Sequence, residues 1–348
     1  MTASRFAGLD GIRALAVVAV VWHHTHGPVD FLPMSRNGFL GVDMFFVLSG
    51  FLITTLLLRE RDENGRISLR RFYIRRSLRI FPLYYLVLAA LALYFGVVAG
   101  SASSQRALYL AELPYHATYT SNWVDIKSMM AITWSLSTEE QFYLAWPPLL
   151  VLLRRWSVPL LLGVLAASQV VNFGGLDGWL AAHGLPYPVL SILQCTFTPI
   201  VLGALLAFVL HARPVQERLR DRLPRWLPVI AFALMLTAAS VGGDIRGWPR
   251  LAFQLAGTAF IASVVLQPAD PLVRLLEWRP LAYVGAISYG IYLLHMIVLD
   301  LVNRSMARLD LHAESLTFVA CLVGTIALSA VSFRFFEQPL LRIKNRFH

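Results

Sequence analysis

Apolar runs of about 20 residues alternate with short polar stretches along the whole 348-residue chain. This is the spacing of a protein that crosses a bilayer repeatedly. The runs predict spans at approximately 8–27, 40–58, 81–99, 131–153, 158–173, 188–211, 226–242, 251–267, 281–301 and 315–336. The segment 158–185 is the least regular, because Gly174, Gly175, Pro186 and Pro188 break it up. Basic residues gather in alternate connections. Eight arginines lie from Arg59 to Arg79, Arg154 and Arg155 follow the fourth span, and five arginines lie between His211 and Arg225. Arg274 and Arg279 follow the eighth span, and Arg342, Lys344 and Arg346 follow the tenth. Cytoplasmic loops retain such residues. The pattern therefore predicts an all-α, polytopic integral membrane protein with about ten transmembrane helices, both termini cytoplasmic, and one membrane domain over 1–348.

Composition sharpens this picture. The chain is 57% hydrophobic and 14% charged, with a mean hydropathy of +0.62; soluble domains carry about 25% charged residues. A net charge of +10 is compatible with nucleic-acid binding, but the basic residues sit where membrane orientation needs them, so no nucleic-acid partner is expected. Cys195 and Cys321 both fall in apolar runs, which argues against a disulfide framework. No histidine pair stands at zinc-ligand spacing near a carboxylate, and there is no phosphate-binding loop or dinucleotide fingerprint, so no metal and no permanently bound cofactor are expected. Asp10 and Arg13 interrupt the first run and no small-residue cleavage site follows it, which predicts a retained helix.

Ionisable groups inside spans are costly and mark function. Arg13 and His24 stand about three helical turns apart, on one face and roughly 16 Å apart along the axis. Asp43, near the outer end of the second span, falls at a depth similar to His24, where a carboxylate would orient the imidazole as a base; a structural ion pair is the competing reading. Ser49 and Gly50 read as small residues for close helix packing. In the run Arg70 to Tyr85, Arg76 and Arg79 project from one helical side, with the forked geometry that suits phosphate; a lipid-headgroup anchor is the competing reading. Glu139 and Glu140 are adjacent in the fourth span and point about 100° apart, which predicts separate roles, one at the site and one joining a neighbouring helix. Ser288, Tyr292 and His295 share a face of the ninth span. Glu337, closing the last span, is expected to pair with an arginine. Trp134, Tyr143 and His295 are the candidate substrate contacts; His295 also reads as a second acid/base group or as a helix-to-helix hydrogen bond.

The segments Leu9 to Ala14 with His24, Gly41 to Ile53, Arg75 to Pro82, Ser135 to Tyr143 and Ser288 to Tyr292, in this order, resemble the membrane acyltransferase-3 family across nearly the whole chain. That family includes bacterial O-antigen and peptidoglycan O-acetyltransferases and macrolide acyltransferases. The resemblance implies that His24 is catalytic and that Arg13, Arg76 and Arg79 handle an acyl-CoA donor, with acetyl-CoA the expected co-substrate. It places Asp43, Glu139 and Glu140 at the family's acidic positions. Some relatives carry an extracytoplasmic hydrolase-like domain; the 348 residues contain none, so the chain is expected to finish transfer itself or to work with a separate protein.

These readings converge on acyl transfer to a hydroxyl of a glycan, a lipid-linked sugar or a natural product, in the bacterial inner or plasma membrane and in contact with its lipid. His24 serves either as the base or as a transient acyl carrier. A polar channel is expected to join the arginines to His24. The alternative is a secondary transporter of a small polar solute, which would more often show paired inverted repeats and broken helices. Acceptor, acyl length and oligomeric state stay open at this level.

Overall fold

Long runs of Leu, Val, Ala and Phe fold as helices here because a backbone in hydrocarbon must satisfy its N–H and C=O groups within its own segment. The computed structural model describes residues 6–26, 36–100, 104–183, 197–242, 245–311 and 313–344, and these contain helices and no strand. In chain order the α-helices are α1 (Leu9–His24), α2 (Leu40–Asn64), α3 (Leu69–Leu93), α4 (Ser104–Ala117), α5 (Thr133–Leu153), α6 (Ser157–Asn172), α7 (Asp177–Ala182) and α8 (Phe197–His211). They continue as α9 (Arg213–Arg222), α10 (Leu227–Ala239), α11 (Trp248–Leu266), α12 (Pro271–Leu276), α13 (Arg279–Ala286), α14 (Ser288–Arg308), α15 (Glu314–Ser332) and α16 (Gln338–Lys344).

Each span drawn from the sequence has an apolar helix at its place, although 188–196, with Pro188 and Cys195, lies outside the described residues, as do Pro186, Arg346 and the tip of the first span at residue 27. Among the described residues, five helical stretches are long and apolar enough to cross a membrane, or up to seven if each bent pair counts as one span. The bent pairs are α8 with α9, at 96°, and α13 with α14, at 73°. Three features separate this from the expected ten: α1 has 16 residues, α10 has 13, and Thr133–Asn172 counts as one stretch where the sequence draws two.

Helix α1 sits inside the bundle. Val17, Val20 and Val21 are fully buried, and α2, α13, α14 and α15 pack around it. Helices α2 and α8 approach closely because glycines face backbone: a Cβ on Gly50 would strike the Ile200 carbonyl, and one on Gly203 the Val47 carbonyl. Such contact takes the place of hydrophobic association, which lipid does not provide. Gly50 thus does what the sequence predicts, whereas Ser49 does not pack this way and instead carries a hydrogen bond described below. Glu337 closes a π-helical turn (Phe333–Glu337) and accepts from Ser332 Oγ at 3.2 Å; an arginine charge, that of Arg79, does act on it, though beyond close ion-pair distance.

Candidate functional site

Helices α1, α2, α3, α5 and α14 enclose a cavity of about 90 Å³. Arg13 enters it from α1, Ser49 from α2, Arg76 and Arg79 from α3, Ser135 and Glu139 from α5, and Ser288, Tyr289 and Tyr292 from α14. Val42, Phe45, Phe46, Ile80 and Leu136 supply apolar wall. Polar groups from five helices converging inside an apolar bundle make this the candidate ligand site.

The three arginines are not equivalent. Arg13 is tied to Asp10 on its own helix at 3.0 Å. Arg76 lies across the Tyr143 ring, 3.7 Å from its centroid, with Glu139 and Glu140 at 3.8 and 3.7 Å. Two carboxylates and a π face therefore hold one guanidinium in place. Arg79 lines the cavity with no hydrogen bond or close ion pair among the described residues, and the Asp10 and Glu337 carboxylates are the acidic groups near it. The i, i+3 spacing thus delivers both side chains to one place, as predicted, but Arg76 is a clamped group and Arg79 an unclamped one.

Both adjacent carboxylates reach Arg76. Three rotatable bonds in each glutamate offset the 100° between their Cα positions. They differ in a second contact: Glu139 lines the cavity and accepts from Ser49 Oγ at 2.5 Å, whereas Glu140 does not line it. Tyr143 is buried beneath Arg76 rather than presented to a ligand. Trp134 is half-buried edge-on against Phe46, also outside the cavity lining.

Of the two readings of Asp43, the structure shows the ion pair. Its carboxylate does not orient His24; Arg250 Nη2 and Nε of α11 donate to its two oxygens at 3.1 and 3.2 Å, and Gln254 Nε2 adds a bond at 2.8 Å. With Asp43 1% and Arg250 8% exposed, this is a buried ion pair joining α2 to α11. Burial demands that pairing, because an unmatched charge there costs several kcal/mol. Arg250 and Gln254 were missed because they read as an outer-loop cation and a span residue. Their i, i+4 spacing on one face of a helix was the available signal.

His24 meets a different neighbour. Its Nδ1 lies 2.9 Å from the Val20 carbonyl and 3.2 Å from Nε2 of the fully buried His295. His295 Nδ1 lies 2.6 Å from the Tyr292 carbonyl, and Tyr292 Oη bonds to Ser135 Oγ at 2.6 Å and donates to the Ile132 carbonyl at 2.9 Å. The expected open channel is not continuous. The cavity ends at Tyr292, whose ring is 5.7 Å from that of His295, which in turn is 4.9 Å from that of His24. His24 is half-buried beyond this aromatic layer and is not part of the lining. Tyr292 is the lining residue that connects, through His295, to His24.

Comparison with known proteins adds an independent line. A family model described as an acyltransferase domain matches residues 6–334. The chain is 27% identical to the peptidoglycan O-acetyltransferase OatA of Listeria monocytogenes, over 95% of this chain and 55% of that protein. It is 28% identical to the O-acetyltransferase OatA of Staphylococcus aureus, over 96% of this chain and 57% of that protein. It is likewise 28% identical to the putative peptidoglycan O-acetyltransferase YrhL of Bacillus subtilis, over 96% and 54%. The chain thus spans about half the length of these relatives. No solved structure matches it.

Proposed function

We infer the chemistry from one premise: the chain belongs to the acyltransferase-3 family and is a multi-pass membrane protein. We propose that it moves an acyl group, acetyl by analogy with the names of its relatives, from acyl-CoA to a hydroxyl of a cell-envelope glycan. We keep with this the ten-span topology and cytoplasmic termini that the charge pattern favours. The transporter reading draws no support from the family or from the relatives.

The observation that carries the proposal is the cavity itself, arginine-lined and ending one aromatic layer from His24. Coenzyme A is a polyanion on a long, thin arm. Arg79, with no hydrogen bond on its fork among the described residues, would take a phosphate by paired charge-assisted hydrogen bonds. Arg13 and the clamped Arg76 would add positive wall, and the apolar residues would house the arm. His24 would remove the proton from the acceptor hydroxyl. The oxygen then attacks the thioester carbonyl carbon, the C–S bond breaks, and the leaving thiolate takes the proton back from the imidazolium. In this scheme the Tyr292 ring moves aside to let the thioester reach His24.

Detergent-solubilised protein titrated with acetyl-CoA tests the donor half. Binding to the folded state is expected to raise the thermal midpoint with ligand concentration. Arg79→Ala is expected to weaken acetyl-CoA binding about 10- to 100-fold, the loss of charge-assisted hydrogen bonds worth about 1.5–3 kcal/mol. An unmoved midpoint in the parent protein, or unchanged affinity in Arg79→Ala, would overturn this assignment.

A further inference from the structure

The two imidazoles impose a hydrogen count on each other. A carbonyl oxygen only accepts, so the nitrogen facing it must carry the hydrogen. His295 Nδ1 faces the Tyr292 carbonyl at 2.6 Å, and His24 Nδ1 faces the Val20 carbonyl at 2.9 Å. A neutral ring has one N–H, which leaves both Nε2 atoms with lone pairs. The geometry agrees, because His295 Nε2 points at His24 Nδ1 from 3.2 Å and would accept a share of its hydrogen. The other tautomer of His24 would set two lone pairs face to face at that distance in a poorly solvated place, where an unmade hydrogen bond is most costly.

We propose that His295 is the positioning residue of His24: reaching across from α14, it selects the Nδ1–H tautomer and so leaves the His24 Nε2 lone pair as the one that meets substrate. In this arrangement an imidazole does what one of the two sequence readings gives to Asp43. The Val20 carbonyl belongs to His24's own helix and in that helix also takes the backbone N–H four residues on; His295 holds the ring from outside. His295 is itself fixed. It is 0% exposed, its Nδ1 is anchored on Tyr292, and Cys321 Sγ of α15 donates to its carbonyl at 3.7 Å. When His24 Nε2 takes up a proton, the Nδ1–H to His295 Nε2 bond gains a charged donor and strengthens. His295 keeps its own proton throughout. Only the use made of the Nε2 lone pair rests on the acyl-transfer reading; the tautomer does not.

The test reads the resting protein first. Full-length protein labelled with ¹⁵N-histidine is examined by NMR at a pH where His24 is neutral, the His24 signals being identified by their absence from His24→Asn. The parent protein is expected to show one His24 tautomer, with hydrogen on Nδ1. His295→Leu is expected to add a measurable fraction of the Nε2–H tautomer and to lower kcat for acetyl transfer about 10- to 100-fold, with KM for acetyl-CoA unchanged. His295→Gln offers an amide oxygen near the position of the lost Nε2 and is expected to recover the single tautomer and most of kcat. The proposal is overturned if His24 remains wholly Nδ1–H in folded His295→Leu, or if His295→Gln behaves as His295→Leu does. Since the NMR measurement needs no turnover, a protein that transfers no acetyl group would defeat the acyl-transfer reading and leave the pairing standing.

Discussion

His24→Ala is expected to lower acetyl transfer about 10²- to 10⁴-fold, the range over which a positioned acid/base group contributes, while the protein remains folded. His24 is half-buried at the C-terminal end of α1, and its side chain makes two described hydrogen bonds, with Val20 and His295. Their loss costs about 1 kcal/mol each, too little to unfold a bundle whose first helix is anchored by Val17, Val20 and Val21. The measurement pairs coenzyme A release, followed with a thiol reagent, with a thermal midpoint in the same detergent. Retained turnover in a folded variant would remove His24 from the reaction. Intact-mass analysis of the parent protein under acetyl-CoA then separates the two roles left open by the sequence, because an acyl carrier would show an acetylated His24 peptide and a base would not.

The second large effect concerns stability. Asp43→Ala is expected to destabilise the protein by about 3–5 kcal/mol, because it removes the carboxylate to which both Nε and Nη2 of the buried Arg250 guanidinium donate. Asp43→Leu combined with Arg250→Leu removes both charges and is expected to recover most of that loss, since a buried pair replaced whole by apolar groups is often neutral or better. The readouts are the thermal midpoint and the fraction of protein that stays monodisperse in detergent. This contrast distinguishes a brace between α2 and α11 from a catalytic carboxylate. If Asp43→Ala keeps its midpoint but loses turnover, Asp43 acts in the chemistry after all.

Much of the site could be read along the chain because it depends on spacing within single helices. Arg13 and His24 lie on one face through the 3.6-residue repeat, and Arg76 and Arg79 reach the same cavity through their i, i+3 separation. Ser288 and Tyr292 line it for the same reason. What escaped was pairing between helices. Asp43 finds Arg250 at a separation of 207 residues, and His24 finds His295 at 271. No local periodicity encodes which of several helices will stand beside another. Side-chain length also defeated a local rule: Glu139 and Glu140 leave their helix in different directions and still converge on Arg76.

Hydropathy, charge placement and helical period by themselves determined the class of molecule, the order of its apolar helices and the set of polar residues worth watching. These are one-dimensional properties, set by the cost of a polar group in hydrocarbon and by the geometry of one helix. Only the assembled bundle decided what each polar residue does. It made Arg76 a clamped cation and Arg79 an unclamped one, turned Asp43 into a brace, placed Tyr292 where the cavity lining meets His295, and gave His24 an imidazole for its partner. Those outcomes depend on which faces meet, and in a membrane that is settled by close packing of small residues such as Gly50 against Ile200 and by the need of every buried charge to find its match.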